Sequence, residues 1–442
     1  KARAMSHAVR VAITGAGAVS PLGRGVDALW SGLLAGRSGI RRLEGIDLTG
    51  LDIDFGGQVP NFDPSDLLEP KQVKRLDRFT QLAIVATAEA LASAGLPARF
   101  AAGRDAEATA TIIGSGLGGA TTIFEQAALF ATRGAGRISP FLVPASIGNM
   151  ASGEVAIHVG AQGPSFGVVS ACATAGHAIG EAYEMIRRGD ADRALAGGSE
   201  AALHPVVIAG FNNMRALSRS GSAAAGGEPA AASRPFDAGR DGFVMAEGAA
   251  VLLLERLDLA LARGATPLAE IVGYGATADA QHITLPAPGG WGAVRAARRA
   301  LAKAGRRGRE IDHVNAHATS TPEGDKAELD AIRTVLTETD SADEARTAAA
   351  AEPLRATISA SKGALGHTLG AAGGLGAIAT LCAMRDRRVH ATLNLKTPDA
   401  AAAGLDIVAG SPRDHEVRLA LVNAFGFGGQ NAALLLSRWE GR

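Results

Sequence analysis

The sequence predicts a mixed α/β fold, and three observations carry that prediction. Short apolar runs end repeatedly in glycine, segments of helical period separate them, and 47% of residues are hydrophobic against 20% charged. In chain order the predicted strands are VRVAITG (9–15), ATATIIGSG (108–116), ADRALAGGS (191–199), AVLLLERL (250–257), IDHVNAH (311–317), ATISASKG (356–363) and RLALVNAFGFGG (418–429). Helices are predicted between them, over Phe79–Ala94 and Ala173–Arg188. In the second, Ala175, Ile179, Ala182 and Ile186 fall on one face.

A chain of 442 residues is too long for one ordinary core. The predicted boundary is ARGATPL (262–268), because VLLLERL closes one series of strands and AEIVGYGATAD opens another. The expected units are therefore 1–265 and 266–442. Two small-residue tracts, SRSGSAAAGGEPAAASRP (218–235) and TETDSADEARTAAAAEP (337–353), are poor in core formers and read as surface loops. Lys1–Ala4 reads as a remnant ahead of Met5, the natural start.

Lys+Arg and Asp+Glu both number 44, so the basic excess of a nucleic-acid or membrane-surface binder is missing. No apolar run reaches bilayer-spanning length, and the first residues lack a signal-peptide core. With two cysteines, no CxxC and no HExxH, the expectation is a reduced, cytoplasmic protein without disulfides or a metal site.

Gly114, Gly116 and Gly119 satisfy G-x-G-x-x-G between a strand and a helix. No acidic residue follows between Glu125 and Glu154 to hold a ribose, so close backbone packing is the preferred reading. Gly15 and Gly17 are read the same way. Cys172 has two readings, a small buried hydrophobe or a nucleophile. Its place where a helical pattern begins, among Ala171, Ala173, Ala175 and Gly176, favours the nucleophile: a helix start favours thiolate, and small neighbours leave room for a substrate. Cys382, inside AIATLCAMRD, reads as core. His317 and His367 both lie at strand exits, where α/β sites are built; His177 reads as structural. NAFGFGGQNAALLL (423–436) reads as a flexible aromatic loop able to gate a pocket and offer N–H groups to an oxyanion.

In their order, VAITGAGAVSPLG, ISPFLVPASIGNMASG, GPSFGVVSACATAGHAIG, SRPFDAGRDGFVMAEGAAVLLLE, VNAHATSTPEGDKAEL, SKGALGHTLGAAG and NAFGFGG resemble the elongating β-ketoacyl-[acyl-carrier-protein] synthases. The likeness covers nearly the whole chain. It implies a thiolase-like fold, two similar halves in five layers α-β-α-β-α, usually dimeric. It implies extension of a Cys172-bound acyl chain by two carbons from malonyl carrier, in fatty-acid or polyketide assembly. No soluble cofactor is implied, because substrates ride on the phosphopantetheine of an acyl carrier protein. By the resemblance His317 and His367 support decarboxylation, Lys362 is the lysine of K-x4-H, and Glu328 holds that lysine. Thr319 and Thr321 contact the phosphopantetheine arm, Leu117 lines the acyl pocket, and Phe425 and Phe427 belong to the gate. The N–H of Phe427 joins that of Cys172 in the oxyanion hole. Ala318, Ala424 and Gln430 stand where Gly, Ser and Thr are usual, and none of them is a catalytic group. The family's carrier is acidic, so Lys71, Lys74 and Arg75 in KQVKRLDR, and Arg215 in NNMRALS, are docking candidates, with a solvated helix face as the alternative.

Two other functions are weighed. A chain-length factor lacks the nucleophile, which this chain retains. The chain can still be the active half of a heterodimer with such a factor. Thiolases and initiating synthases use a second cysteine or a His–Asn pair, and Cys382 has no matching surroundings.

Overall fold

Two pairs of glycines set the distance between helix and sheet in each half of the molecule. The computed structural model describes residues 9–338 and 354–441. In the first half, strand β1 (Val11–Ser20) lies under helix α1 (Arg78–Ser93). A Cβ on Gly15 would come 2.1 Å from the Ala90 carbonyl oxygen, and one on Gly17 1.9 Å from that of Ala86. In the second half, strand β5 (Ala269–Ala278) lies under helix α4 (Trp291–Ala304). There the values are 2.1 Å for Gly273 to Ala300 and 1.9 Å for Gly275 to Ala296. The two glycine pairs repeat with the same spacing and the same contacts. This is direct structural evidence of duplication.

The other main strands are β2 (Thr109–Gly114), β3 (Arg193–Glu200), β4 (Gly248–Arg256), β6 (His313–Asn315), β7 (Thr357–Ser359), β8 (Asp406–Ile407), β9 (Leu419–Gly426) and β10 (Gln430–Arg438). Their order is β8-β7-β6-β9-β10-β5-β1-β4-β3-β2. The two half-sheets meet only where Val11, Ala12 and Ile13 pair antiparallel with Ile271, Glu270 and Ala269. Each then diverges to cover one side of helices α3 (Thr174–Arg188) and α6 (Ala372–Asp386), which touch strands of both halves. Helices α1 and α2 (Met150–Val159) cover the first half-sheet, and α4 and α5 (Pro322–Thr337) the second. The result is five layers, α-β-α-β-α.

Strand alternation builds the layers. Leu252 and Leu254 of β4 face the central helices, whereas Val251 and Leu253 pack with Phe79 and Leu82 of α1. Leu434 and Leu436 of β10 likewise face the centre, and Leu435 faces α4. Ala175, Ile179, Ala182 and Ile186 are all fully buried.

Several expectations need correction. Strand β1 runs five residues past the predicted end, through Gly15 and Gly17, which pack against helix α1 as the close-packing reading expects. The 423–429 segment is no free loop: Asn423–Gly426 completes β9, and Phe427–Gly429 is the tight turn into β10. The 218–235 tract is a surface loop only in part: Arg219, residues 223–226 and Glu228 are exposed. Ser218, Ser222, Ala232, Ser233 and Pro235 are buried. The Ser233 hydroxyl donates to the Lys362 carbonyl at 2.8 Å, and Arg42 donates to the Gly221 and Gly227 carbonyls at 2.8 Å each. Its small residues pass close under neighbouring backbone, which a pattern of core formers would not reveal. Of the 337–353 tract, Thr337 and Glu338 end α5 and residues 339–353 lie outside the described residues, as do Lys1–Ala4 and Met5. No described helix is long and apolar enough to cross a membrane.

Gly17→Ala and Gly275→Ala each force a methyl group into a helix carbonyl, an overpacking that costs about 1–3 kcal/mol. Each variant is expected to melt several degrees below wild type by scanning calorimetry. Gly210→Ala, where nothing lies within 4 Å of an added Cβ, is the neutral control.

Candidate active site

Chain geometry ahead of α3 creates an unusual turn at Cys172. Residues Ala171–Ala173 form a 3-10 turn, and Ala171 sits in the left-handed region at φ +49°. The Ser170 hydroxyl contacts His177 Nδ1 at 2.7 Å, and His177 Nε2 reaches the Asn431 carbonyl at 3.3 Å, which ties the turn to the β9–β10 hairpin. Gly426, the last residue of β9, crosses directly over the turn. A Cβ there would lie 2.6 Å from the Ser170 carbonyl oxygen and 3.1 Å from the Cys172 nitrogen. With no side chain in the way, the next residue, Phe427, aims its N–H at the Cys172 sulfur.

Burial pushes the Cys172 thiol up to about 12; the Lys362 ammonium opposes this and the Glu200 carboxylate adds to it. Cys172 lies just ahead of helix α3 and is 8% exposed, so burial opposes the activation expected from the helix start and favours the thiol.

His317 and His367 follow two adjacent parallel strands, β6 and β7, and their ring centroids are 5.4 Å apart at 84°. The backbone of His367 is clamped by 244–246: its N–H donates to the Val244 carbonyl at 2.7 Å, and its carbonyl accepts from Ala246 at 3.0 Å. His317 follows β6, and its ring meets Phe425 at 5.6 Å. Both imidazoles are held well below their ordinary range, by burial first and by the Lys362 charge second. Both Nδ1 atoms are buried without a partner. Among the described residues nothing bonds either Nε2.

Glu328 and Lys362 act differently from the expected ion pair. Lys362 Nζ donates to the His317 carbonyl. Glu328 instead accepts from the N–H groups of His317 (2.8 Å) and Ala318 (2.6 Å) and from Asn423 Nδ2 (3.0 Å). No Lys362–Glu328 ion pair forms among the described residues; the two grip the same backbone segment from opposite ends. Burial lowers Lys362 to about 8, with Glu328 opposing. Ala318, where glycine is usual, has φ +26° and is held there by its bond to Glu328.

Cys172, His317, His367, Glu328 and Phe425 line one cavity of about 500 Å³ with Leu117, Thr319, Thr321 and Phe427. The two threonine hydroxyls are 3.1 Å apart. Arg215 lies at the cavity wall, whereas Lys71, Lys74 and Arg75 sit on an exposed six-residue helix, Pro70–Arg75, that does not line it. Cys382 is core, 3% exposed. A Cβ on Gly114 or Gly119 would come 2.3 or 2.6 Å from a backbone carbonyl oxygen, as the close-packing reading expects.

Sequence reasoning missed the supports. Arg240 donates to the Thr321 (3.0 Å) and Pro322 (2.6 Å) carbonyls. Asp325, whose carboxyl burial pushes up to about 7, accepts from Ser320 (3.0 Å) and Phe236 (2.8 Å). Together they hold the threonine turn, in which Ser320 has φ +72°. Gly426 was legible only as one of several glycines between two phenylalanines. No group of three or more His, Cys, Asp or Glu side chains among the described residues is placed to hold a metal ion.

Comparison with known proteins follows from this geometry. Residues 8–260 match the family described as "Beta-ketoacyl synthase, N-terminal domain", and 268–396 match "Beta-ketoacyl synthase, C-terminal domain". The chain is 42% identical to 3-oxoacyl-[acyl-carrier-protein] synthase 2 of Staphylococcus aureus (strain MRSA252), covering 99% of this chain and 100% of that protein. Among solved structures, the ishigamide ketosynthase/chain length factor aligns with TM-score 0.86 at 31% identity, covering 98% of this chain and 100% of the other. A type II PKS acyl-carrier protein in complex with its ketosynthase bound to the hexaketide gives TM-score 0.86 at 29% identity, with the same coverage. The Cys172 turn, two edge-on imidazoles and a glycine hairpin converge here on a thiolase-like frame, and the chain belongs to the β-ketoacyl synthase family.

Proposed function

We propose that this protein is a 3-oxoacyl-[acyl-carrier-protein] synthase that extends a Cys172-bound acyl chain by two carbons from malonyl carrier. The observation that carries the reading is the convergence of Cys172, His317 and His367 on one cavity, with a backbone N–H aimed at the sulfur and two imidazole Nε2 atoms lacking protein partners.

In the first step Sγ of Cys172 attacks the acyl-carrier thioester. The N–H groups of Cys172 and Phe427 hold the developing oxyanion, and the thiol proton leaves with the carrier thiol. In the second step malonyl carrier enters along Thr319 and Thr321. Its thioester oxygen is placed between the two Nε2–H groups, so the charge released as CO₂ departs collects there as an enolate. Neutral rings suit this task, because each offers one N–H without surrendering a proton; burial and the Lys362 charge keep them neutral. The enolate carbon then attacks the Cys172 thioester, a C–C bond forms, the C–S bond breaks, and the sulfur regains a proton. Lys362 and Glu328 position His317 through its backbone.

The division at 265/266 is supported by the repeated glycine pairs and by the family matches falling on either side of it. A second copy, or a chain-length-factor-like chain, is the proposed dimer partner. Phe130, Phe141, Val143, Ile157 and Val169 lie between 46% and 64% exposed in the segment that follows edge strand β2. The substrates ride on carrier phosphopantetheine, no soluble cofactor enters the steps, and the proposed location is the cytoplasm.

Intact-mass analysis after exposure to a panel of acyl-carrier thioesters is expected to show one acyl adduct, lost in Cys172→Ala. His367→Ala is expected to lower decarboxylation of malonyl carrier at least about 10²-fold, as removal of an oxyanion donor does, while Cys172 still loads. Full decarboxylation in that variant overturns the assignment. Charge reversal at Lys74 and Arg75 should weaken carrier binding and flatten its salt dependence, read by titration at two ionic strengths. An unchanged Kd at both removes that helix from the docking surface.

A further inference from the structure

The duplication pairs individual elements of the two halves, and one difference between them falls inside the cavity. Helices α3 and α6 are each 15 residues long and each follow a 3-10 turn. Ala171 opens the first turn at φ +49° and Leu369 the second at φ +44°. Cys172 therefore has Gly370 as its counterpart. Strands β3 and β9 are both eight residues long and both end their antiparallel ladders with their last residue, Glu200 opposite Gly248 and Gly426 opposite Gln430. Glu200 is therefore the counterpart of Gly426.

At the Cys172 turn the missing side chain of Gly426 leaves the N–H open. At the Gly370 turn the Glu200 side chain runs to the matching N–H: Oε2 accepts from Gly370 at 3.0 Å and from Gly116 at 2.8 Å. Oε1 accepts from Leu117 N–H at 3.1 Å and from the Ser115 hydroxyl at 2.8 Å. Glu200 is fully buried and lines the cavity. Burial raises its pKa, yet three of its four partners are backbone N–H groups that can only donate, and this donor set fits the ionised carboxylate.

We propose that Glu200 is a positioning residue of the condensation site, a built-in anion that fills the second half's counterpart of the oxyanion hole. It thereby fixes the Gly116–Leu117 cavity wall against the Gly370 turn that follows His367. The two arms of this bridge come from different halves of the chain, so one carboxylate couples the acyl wall to the decarboxylation side. The inference rests on the function proposed above.

The test is anion rescue. Glu200→Ala leaves the four donors facing an empty, carboxylate-sized space that opens on the cavity. Acylation of Cys172 by acyl carrier, read by intact mass, is expected to fall at least tenfold and to recover saturably with added formate, which leaves wild type unchanged. Glu200→Gln keeps the space filled, so its loss should resist formate. The charged groups whose fields reach the sulfur are Lys362 and Glu200. The pH midpoint for iodoacetamide labelling of Cys172 is therefore expected to move down in Glu200→Gln. A folded Glu200→Ala protein that acylates at the wild-type rate overturns the proposal, and so does a loss that formate leaves unrestored. If wild type loads no acyl group at all, the proposed function fails instead. Labelling of Cys172 in the Glu200→Ala and Glu200→Gln proteins, with and without formate, then decides Glu200 separately.

Discussion

Every part of the site depends on one close approach of backbone to backbone, Gly426 lying over the Cys172 turn. A single added methyl group would meet the Ser170 carbonyl at 2.6 Å, and the hairpin would lift. The N–H of Phe427 would then leave the sulfur, and His177 would lose its hold on the Asn431 carbonyl. Phe425, one residue earlier on the same strand, would shift against His317. The constraint is steric and local, yet it joins the first half's nucleophile to the second half's last two strands. Glycine meets it at no cost in rotamer entropy, and the β9–β10 ladder supplies the rigidity that glycine lacks.

The second governing effect is desolvation, and it acts on every titratable group in the same direction: towards neutrality. It raises the thiol, lowers both imidazoles and lowers the ammonium of Lys362. A resting thiol resists adventitious alkylation and oxidation, because the thiolate is the reactive species. Neutral imidazoles offer hydrogen bonds without competing for the proton. The fixed donors then act on charge only when the substrate generates it, which is when preorganised dipoles in a dry cavity are strongest. Lys362 is the cation whose charge acts on both imidazoles, and its bond to the His317 carbonyl makes it a support as well as a source of field.

Much of this was legible in the chain. Cys172 at a helix start, and His317 and His367 at strand exits, are local patterns, and strand periodicity located seven of the strands. What escaped reading depends on contacts between distant segments. Gly15 and Gly17 are legible as close-packing positions, but not which helix is laid across them. The 218–235 tract looks like an insertion because its role is carried by backbone carbonyls gripped by Arg42, and composition says nothing of carbonyls. Glu328 was expected to hold Lys362, but in three dimensions its carboxylate is taken up by two N–H groups and an asparagine. The sequence also suggested an activated sulfur, since a helix start is visible in one dimension and burial is not.

Duplication explains why such a site could be assembled at all. Two equivalent turns, at Cys172 and Gly370, lie side by side at the starts of the two central helices, and each presents an N–H at the mouth of its helix. If both stayed open, the cavity would hold two competing anion sites, and a thioester carbonyl could settle in either. With glycine at 426 and glutamate at 200 the symmetry is broken at the level of single side chains: one turn carries sulfur and an empty N–H, the other a carboxylate that already satisfies its donors. The charge that closes the second site also repels thiolate at the first. The same substitution that distinguishes the halves therefore helps to keep the nucleophile protonated until an acyl thioester arrives.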